Sequence, residues 1–261
     1  MAAWLGHASV LVVCCGKLIL FDPVFSKRCS PFSFAGPVRH TPSPINLHDA
    51  DSWPADLAPD LIAISHAHYD HLDEATVLTL RKRFPEALWA APLGLGTWFL
   101  EKAGITLDAE MDWWDELVGI PGAGLTLVCL PAQHWANRWP WDRNATLWCG
   151  YGVTCTDKPS RMEVFFAGDT GYCSAYKLLG SKYDVGLAAI PIGAYEPNWF
   201  LAPQHCNPKE AVQMVQELKA DAALAIHWGT FPLTVESPMQ QLSDLMLARG
   251  SDARLRAVRI G

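Results

Sequence analysis

A dense set of metal-ligand residue types occupies one six-residue stretch, at His66, His68, Asp70 and His71. The stretch follows the apolar run 61–64, which is typical of a buried strand, and a helical pattern begins at Asp73 and continues to Phe84. Imidazole and carboxylate groups are ligands of zinc-like ions. Because one ion cannot take all of these groups from so tight a turn, the spacing predicts two neighbouring ions. The alternative is a polar loop whose histidines only cap the helix.

The same order of strand, ligand residue and loop recurs further along the chain. The ligand residue follows a buried-strand pattern each time: His134 after 125–130, Asp169 after 164–167 and His227 after 222–226. Two packed sheets with helices outside would bring these strand ends to one edge, so we expect the three side chains to join the first group. Taken alone, each has a plainer interpretation, as a structural histidine or as an aspartate in a glycine turn.

Further apolar runs and breakers outline the elements that must position these residues. Strands are predicted at 9–15, 18–21, 88–91, 113–115, 185–191 and 255–260, and helices at 94–102, 207–218 and 237–250. Asn207, Pro208 and Glu210 together indicate a capping box at the start of one helix. The sequence therefore predicts a single layered α/β domain over residues 1–261. Because the chain enters a sheet almost at its first residue, we also expect a missing N-terminal extension.

Three polar residues lie where they could support the ligands. His7 stands just before the strand at 9–15, and Asp22 stands at the end of the strand at 18–21. His7 is either a local hydrogen-bonding partner or an outer partner of a ligand, and Asp22 could hold a ligand histidine in place. Asp73 either orients a ligand histidine or only starts the helix.

Composition limits the classes of function. The chain has a net charge of −7 and pI ≈ 5.7, so the basic footprint typical of nucleic-acid-binding proteins is absent from its sequence. No apolar stretch of the sequence reaches the length of a membrane span. Eight cysteines without a Cys-x-x-Cys pair favour small buried side chains in a reducing compartment, with one disulfide left open. These features favour a cytoplasmic protein, with attachment to an intracellular membrane surface as the alternative.

The ordered ligand set resembles that of the metallo-β-lactamase fold hydrolases. This resemblance implies a four-layer αβ/βα sandwich with a site for two metal ions. It also implies the ligand assignment: His66, His68 and His134 for the first ion, Asp70, His71 and His227 for the second, and Asp169 as the bridge between them.

Longer motifs are similar to the branch that hydrolyses N-acylphosphatidylethanolamine, a phospholipase D activity. They include Trp-Leu-Gly-His-Ala-Ser at 4–9, Pro-Ile-Gly-Ala-Tyr-Glu-Pro at 191–197 and Ile-His-Trp-Gly-Thr-Phe at 226–231. The resemblance implies a zinc-dependent phosphodiesterase that releases N-acylethanolamine and phosphatidic acid, with iron or manganese as alternative metals. It places Gln204 and His205 near the substrate, and we also assign Tyr195 to substrate binding, with packing as its alternative role.

The chemistry expected of such a site is in-line attack on phosphorus by a water that the ions share. Asp70, Asp169 and His205 are the candidate catalytic residues, with His205 orienting the substrate or donating a proton to the leaving group. The expected partner is a phospholipid, with membrane-surface contact and a homodimer as further expectations and nucleic acid disfavoured. The alternatives are a hydrolase of soluble phosphodiesters or lactones, and an inactive metal-binding scaffold.

Overall fold

A six-stranded sheet forms from the N-terminal part of the chain. The computed structural model describes residues 1–260 except 48, 50–52, 54–56, 121 and 123. The strands lie side by side in sequence order: β1 (Ala2–Gly6), β2 (Ser9–Cys14), β3 (Lys17–Phe21), β4 (Leu61–Ala63), β5 (Leu88–Pro92) and β6 (Ala109–Met111). Strands β1 to β3 are antiparallel neighbours, whereas β3 to β6 run parallel.

A seven-stranded sheet follows, in the spatial order β13-β12-β11-β10-β9-β8-β7. Its strands are β7 (Glu116–Val118), β8 (Leu125–Leu130), β9 (Gly150–Cys155), β10 (Lys158–Phe166), β11 (Asp184–Pro191), β12 (Ala222–Ile226) and β13 (Leu255–Arg256). Neighbours from β7 to β10 are antiparallel, and β10 to β13 are parallel. Because β8, β10 and β12 therefore point the same way, their C-terminal ends share one edge of the sheet.

The helices are α1 (Glu74–Arg83), α2 (Gly96–Ala103), α3 (Ala175–Lys182), α4 (Asn198–Leu201), α5 (Pro208–Leu218) and α6 (Pro238–Arg249). Helix α5 begins at the predicted capping box, in which Asn207 and Glu210 each accept a hydrogen bond from the other's backbone N–H. No helix of the described residues is long and apolar enough to cross a bilayer.

Three clusters of buried side chains define the layers. Strand β2 shows the division, because Val10 and Val12 join the cluster between the sheets while Leu11 joins the cluster under α1 and α2. On the far side, Val215 of α5 packs on the outer face of the second sheet together with residues of α3 and α6. The order of layers is helix, sheet, sheet, helix, so the predicted four-layer sandwich is confirmed.

Most predicted elements are present with shifted ends. The strand expected at 255–260 is confined to Leu255–Arg256. The prediction of a strand at 113–115 is wrong, because these residues form the turn between β6 and β7. There the backbone N–H of Asp112 donates a hydrogen bond to the carboxylate of Asp115. This contact stabilises a turn, which the apolar residues of the segment do not indicate.

A disulfide joins the two sheets through Cys15, in the β2–β3 turn, and Cys155, at the end of β9. The bridge links residues 140 positions apart. The sequence allowed one disulfide as an alternative, and this bridge is that disulfide. Five of the six free cysteines are buried, as expected of small apolar side chains: Cys14, Cys29, Cys129, Cys149 and Cys206.

Helix α3 packs so closely on α5 that a glycine is required between them. A Cβ atom built on Gly180 would overlap the carbonyl oxygen of Glu217. We expect Gly180→Ala to lower the free energy of unfolding by about 1–3 kcal/mol, although alanine is the better helix former. Denaturant unfolding measures the change. Ser181→Ala, at the exposed next position, is the control and should change it by less than about 0.5 kcal/mol.

Candidate metal centre

The ligand residues lie where strands of both sheets end. The stretch from His66 to His71 follows β4, His134 follows β8, Asp169 follows β10 and His227 follows β12. The structure brings these side chains together, as the sequence predicts. They lie mostly buried at the edge between the sheets, and the side chains of His71, His134 and His227 are fully covered.

Three histidines form the first ligand group. The Nδ1 atom of His68 lies 2.8 Å from Nε2 of His66 and 3.2 Å from Nε2 of His134. In a tetrahedral site with Zn–N bonds of 2.0–2.1 Å, ligand nitrogens are separated by about 3.3 Å. The group is therefore close to the size that one such ion requires.

The second ligand group surrounds the carboxylate of Asp169. Its Oδ2 atom lies 3.0 Å from Nε2 of both His71 and His227. The Oδ2 atom of Asp70 lies 3.5 Å and 3.4 Å from the same two nitrogens. Asp169 Oδ2 is also 3.9 Å from Nε2 of His134, so this oxygen lies between the two groups. That is the position expected of a bridging ligand.

Several ligand atoms are buried without a hydrogen-bond partner among the described residues: Nε2 of His71, Nε2 of His227 and Oδ1 of Asp169. Leaving such atoms unsatisfied costs about 1–3 kcal/mol each. Because the two imidazole nitrogens each lie 3.0 Å from Asp169 Oδ2, one cation could contact both of them. The donor set of imidazoles and carboxylates therefore fits a pair of zinc-like ions.

The electrostatics suit a cation. Burial lowers the pKa of His66 and His134 well below its ordinary value, which leaves neutral rings with a free lone pair. Burial alone would raise the pKa of Asp169, but His227 and His71 outweigh burial and hold this pKa well below its usual range. The carboxylate is therefore ionised at neutral pH, the state that ligates a metal.

Outer partners fix the ligand rings. Asp22 accepts a 2.6 Å hydrogen bond from Nδ1 of His71 and another of 2.6 Å from the backbone N–H of Ser65. On the other group, Nδ1 of His134 donates to the carbonyl oxygen of Gln204 over 2.8 Å. Such contacts set which ring nitrogen carries the proton and leave the other to the metal.

The remaining predicted site residues lie in different surroundings. Asp73 accepts hydrogen bonds from Thr76 Oγ1 and from the backbone of Ser26, which favours its alternative role at the start of α1. Tyr195 is buried and its hydroxyl donates to Asp244 of α6, a packing contact. Its assignment to substrate binding stays a prediction.

His205 faces the ligand groups. Its Nδ1 atom lies 3.9 Å from Asp169 Oδ2, and its ring lies 5.0 Å from that of His134 and 5.6 Å from that of His227. The side chain keeps 13% exposure, as does Asp70, whereas Asp169 keeps 2%. The site therefore opens to the outside beside His205 and Asp70. Burial lowers the pKa of His205 to about 4.

Sequence reasoning missed two residues that shape the ligand loop. Arg138 donates from Nη1 to the carbonyl oxygens of Ala67 and Leu72, each over 2.8 Å, and its guanidinium lies 4.1 Å from the ring centre of Tyr69. Nothing in the sequence marks an arginine that will bond carbonyls about 70 positions away. Ser65, whose Oγ lies 2.9 Å from Nδ1 of His66, could have been found from its place directly before the first ligand.

Three residues at the site have unfavourable backbone angles. His7, Asp22 and His227 have φ values of 50°, 39° and 62°, which non-glycine residues seldom adopt. Gly168, before the bridging aspartate, has φ 62°, and a Cβ there would come 2.8 Å from the carbonyl oxygen of Cys149. The surrounding hydrogen bonds hold these conformations, as is common at functional sites.

The fold and the ligand set define a class of metal-dependent hydrolases. The chain belongs to the β-lactamase superfamily domain family, whose model matches residues 17–228. A metal-dependent hydrolase of Methanopyrus kandleri is 27% identical over 241 residues, which cover 90% of this chain and 86% of that protein.

The predicted resemblance to the branch that hydrolyses N-acylphosphatidylethanolamine is confirmed by individual relatives. The chain is 41% identical over 260 residues to N-acyl-phosphatidylethanolamine-hydrolyzing phospholipase D 1 of Caenorhabditis elegans, covering 95% of this chain and 70% of that protein. It is 34% identical to the mitochondrial enzyme of the same name from Saccharomyces cerevisiae, covering 89% of this chain but only 48% of that protein. The chain thus spans about half the length of the yeast relative.

Solved structures share the fold at low sequence identity. The metallo hydrolase Igni18 of Ignicoccus hospitalis superposes with a TM-score of 0.71 at 20% identity, over 100% of this chain and 95% of that one. An isothiocyanate hydrolase from Delia radicum gut bacteria gives a TM-score of 0.73 at 18% identity, over 100% and 97%. These likenesses confirm the architecture.

The hydrogen bond from His71 to Asp22 provides a direct test of the second ligand group. We expect Asp22→Asn to weaken binding of one metal ion by about 10- to 100-fold, because the amide is a poorer acceptor for the His71 N–H. Competition with a chelator of known affinity measures both ions. Asp73→Asn is the matched control, and equal losses in the two variants would contradict the assignment of Asp22.

Proposed function

We propose that this chain is a zinc-dependent phosphodiesterase of the phospholipase D type. Its substrate would be N-acylphosphatidylethanolamine, and its products N-acylethanolamine and phosphatidic acid. One observation carries the proposal: two complete ligand groups share the carboxylate of Asp169 in a chain that is 41% identical to an enzyme named for this reaction.

Each ligand group would hold one divalent ion. His66, His68 and His134 would bind the first, Asp70, His71 and His227 the second, and Asp169 both. When bound, the ions supply Lewis acidity and a water nucleophile at neutral pH. Hydrolysis of this diester adds the water oxygen to phosphorus and breaks the bond to the ethanolamine oxygen, which takes up a proton as it leaves.

The chain's own residues would orient the diester. Substrate would approach beside Asp70 and His205, where the otherwise closed site keeps some exposure. The side chain of His205 keeps 13% exposure, so this ring can bond a substrate oxygen, while its buried Nδ1 faces Asp169. We assign it the role of orienting the leaving oxygen, because burial lowers its pKa to about 4 and the ring is therefore neutral at neutral pH. Gln204, whose carbonyl oxygen holds His134, brings His205 to this position.

A lipid substrate would bring the protein to a membrane surface. Large aromatic side chains are exposed in segments close in sequence to site residues, including Trp141 at 79% and Trp199 at 83%. Trp199 belongs to α4, a few residues before His205, and Trp141 lies in the loop after His134. Such side chains favour the interface between lipid and water. We therefore include peripheral membrane contact in the proposal. Homodimer formation stays a prediction, and the oligomeric state of the same preparation tests it.

Incubation with a defined N-acylphosphatidylethanolamine, followed by identification of the products, tests the proposal. We expect N-acylethanolamine and phosphatidic acid in equal amounts, loss of turnover with a chelator, and recovery with zinc. His68→Ala should abolish turnover without unfolding the chain, because it removes the central ligand of the first group. Metal analysis of the wild-type protein should find close to two equivalents.

Other results would select the competing functions. Turnover of soluble phosphodiesters or lactones without dependence on acyl chains would favour the broader hydrolase. A protein that holds two ions and turns over none of these substrates would favour the scaffold. Retained turnover in His68→Ala would contradict the metal-based mechanism as a whole.

The role of His205 predicts a loss of rate without loss of metal. We expect His205→Gln to lower kcat by about 10²-fold, the order expected when a contact that orients the substrate is displaced. The metal content should stay at the wild-type value, since no ligand changes. Steady-state kinetics and metal analysis on the same sample measure both. The proposed role is wrong if kcat is unchanged or if the variant loses an ion.

A further inference from the structure

The β1–β2 turn contacts the metal centre from the side of the N-terminal sheet. It is a tight turn in which Gly6 has φ 101° and His7 has φ 50°. His7 is 1% exposed, although the turn lies at the edge of the sandwich. A buried histidine in a strained turn needs contacts that hold it, and two polar contacts of His7 lead to the second ligand group.

The side chain of His7 bonds a metal ligand. Its Nε2 lies 2.8 Å from Oδ2 of Asp70. The same oxygen faces Nε2 of His71 and of His227, at 3.5 Å and 3.4 Å. Since an ionised carboxylate can only accept, His7 is the donor in this contact. The hydrogen bond therefore fixes the rotation of the Asp70 carboxylate that places Oδ2 among the ligand nitrogens.

The backbone of His7 holds a second ligand. Its carbonyl oxygen accepts a 2.8 Å hydrogen bond from the backbone N–H of His227, and its own N–H donates over 2.7 Å to Thr230 Oγ1. The rings of His7 and His227 lie 4.0 Å apart. One residue thus joins Asp70, which follows the first sheet's β4, to His227, which follows the second sheet's β12.

We propose that His7 is a positioning residue that determines whether the second ion is bound. This inference rests on the two-ion site of the proposed function. Direct ligation by His7 is the competing assignment, but its Nε2 is engaged by Oδ2 of Asp70 at 2.8 Å. The polar contacts of His7 involve Trp4, Asp70, His227 and Thr230, and none is with His66, His68 or His134. Its loss should therefore affect one ion and leave the other.

Two substitutions at the same position separate the hydrogen bond from the shape of the turn. His7→Leu removes the donor, whereas His7→Gln retains an N–H at a similar distance from the backbone. Both variants bear the same backbone cost at positive φ. Trp4→Phe is the structural control, because it removes the 2.7 Å hydrogen bond from Trp4 Nε1 to the His7 carbonyl and leaves the His7 side chain intact.

Metal stoichiometry and chelator competition, with zinc as the probe, provide the readout. We expect His7→Leu to bind the second zinc about 10- to 100-fold more weakly and the first with unchanged affinity. His7→Gln should restore most of the affinity. Trp4→Phe should lower the thermal midpoint while it keeps two zinc ions of wild-type affinity.

Three results would overturn the inference. They are wild-type zinc affinities in His7→Leu, equal losses in His7→Leu and His7→Gln, and loss of the second zinc in Trp4→Phe. None of these measurements depends on substrate turnover. A wild-type protein that takes up only one zinc would instead overturn the two-ion site, so failure of the proposed function is distinguished from failure of the role of His7.

Discussion

The crowding of buried nitrogen and oxygen atoms between the two sheets is the constraint on which the rest of this structure depends. Atoms that would each cost free energy alone face one another at about 3 Å, as between Asp169 and both His71 and His227. Hydrogen bonds behind the rings, such as that from His71 to Asp22, commit the outer nitrogens and leave the inner ones toward the centre. This arrangement of buried acceptor atoms is stable only when positive charge lies among them.

The sandwich supplies the geometry that such a centre requires. Parallel strands end at one edge, so loops after β4, β8, β10 and β12 deliver ligands to the same place. The strained residues His7, Asp22 and His227 occur at this edge, and the well-packed sheets behind it provide the stability to hold them. In α/β folds, rigid strands commonly position functional loops in this way.

Much of this organisation could be predicted from the sequence, because ligand chemistry and strand patterns are local signals. The stretch 66–71 follows its strand directly, and the capping box at Asn207 lies where the spacing indicates. Contacts between residues that are distant in sequence could not be predicted, such as that of Arg138 with the carbonyl oxygen of Ala67. The prediction of a strand at 113–115 was wrong because aromatic residues occur in turns as well as in strands.

The long-range bond between the backbones of His7 and His227 has a consequence for how the protein matures. The three histidines of the first ligand group are present once residue 134 has been synthesised, and the shared Asp169 follows, whereas the second group waits for residue 227 and its contact with the β1–β2 turn. A growing chain can therefore assemble its two halves of the centre only in succession. The direction of synthesis thus makes the ligands of the first ion available before those of the second.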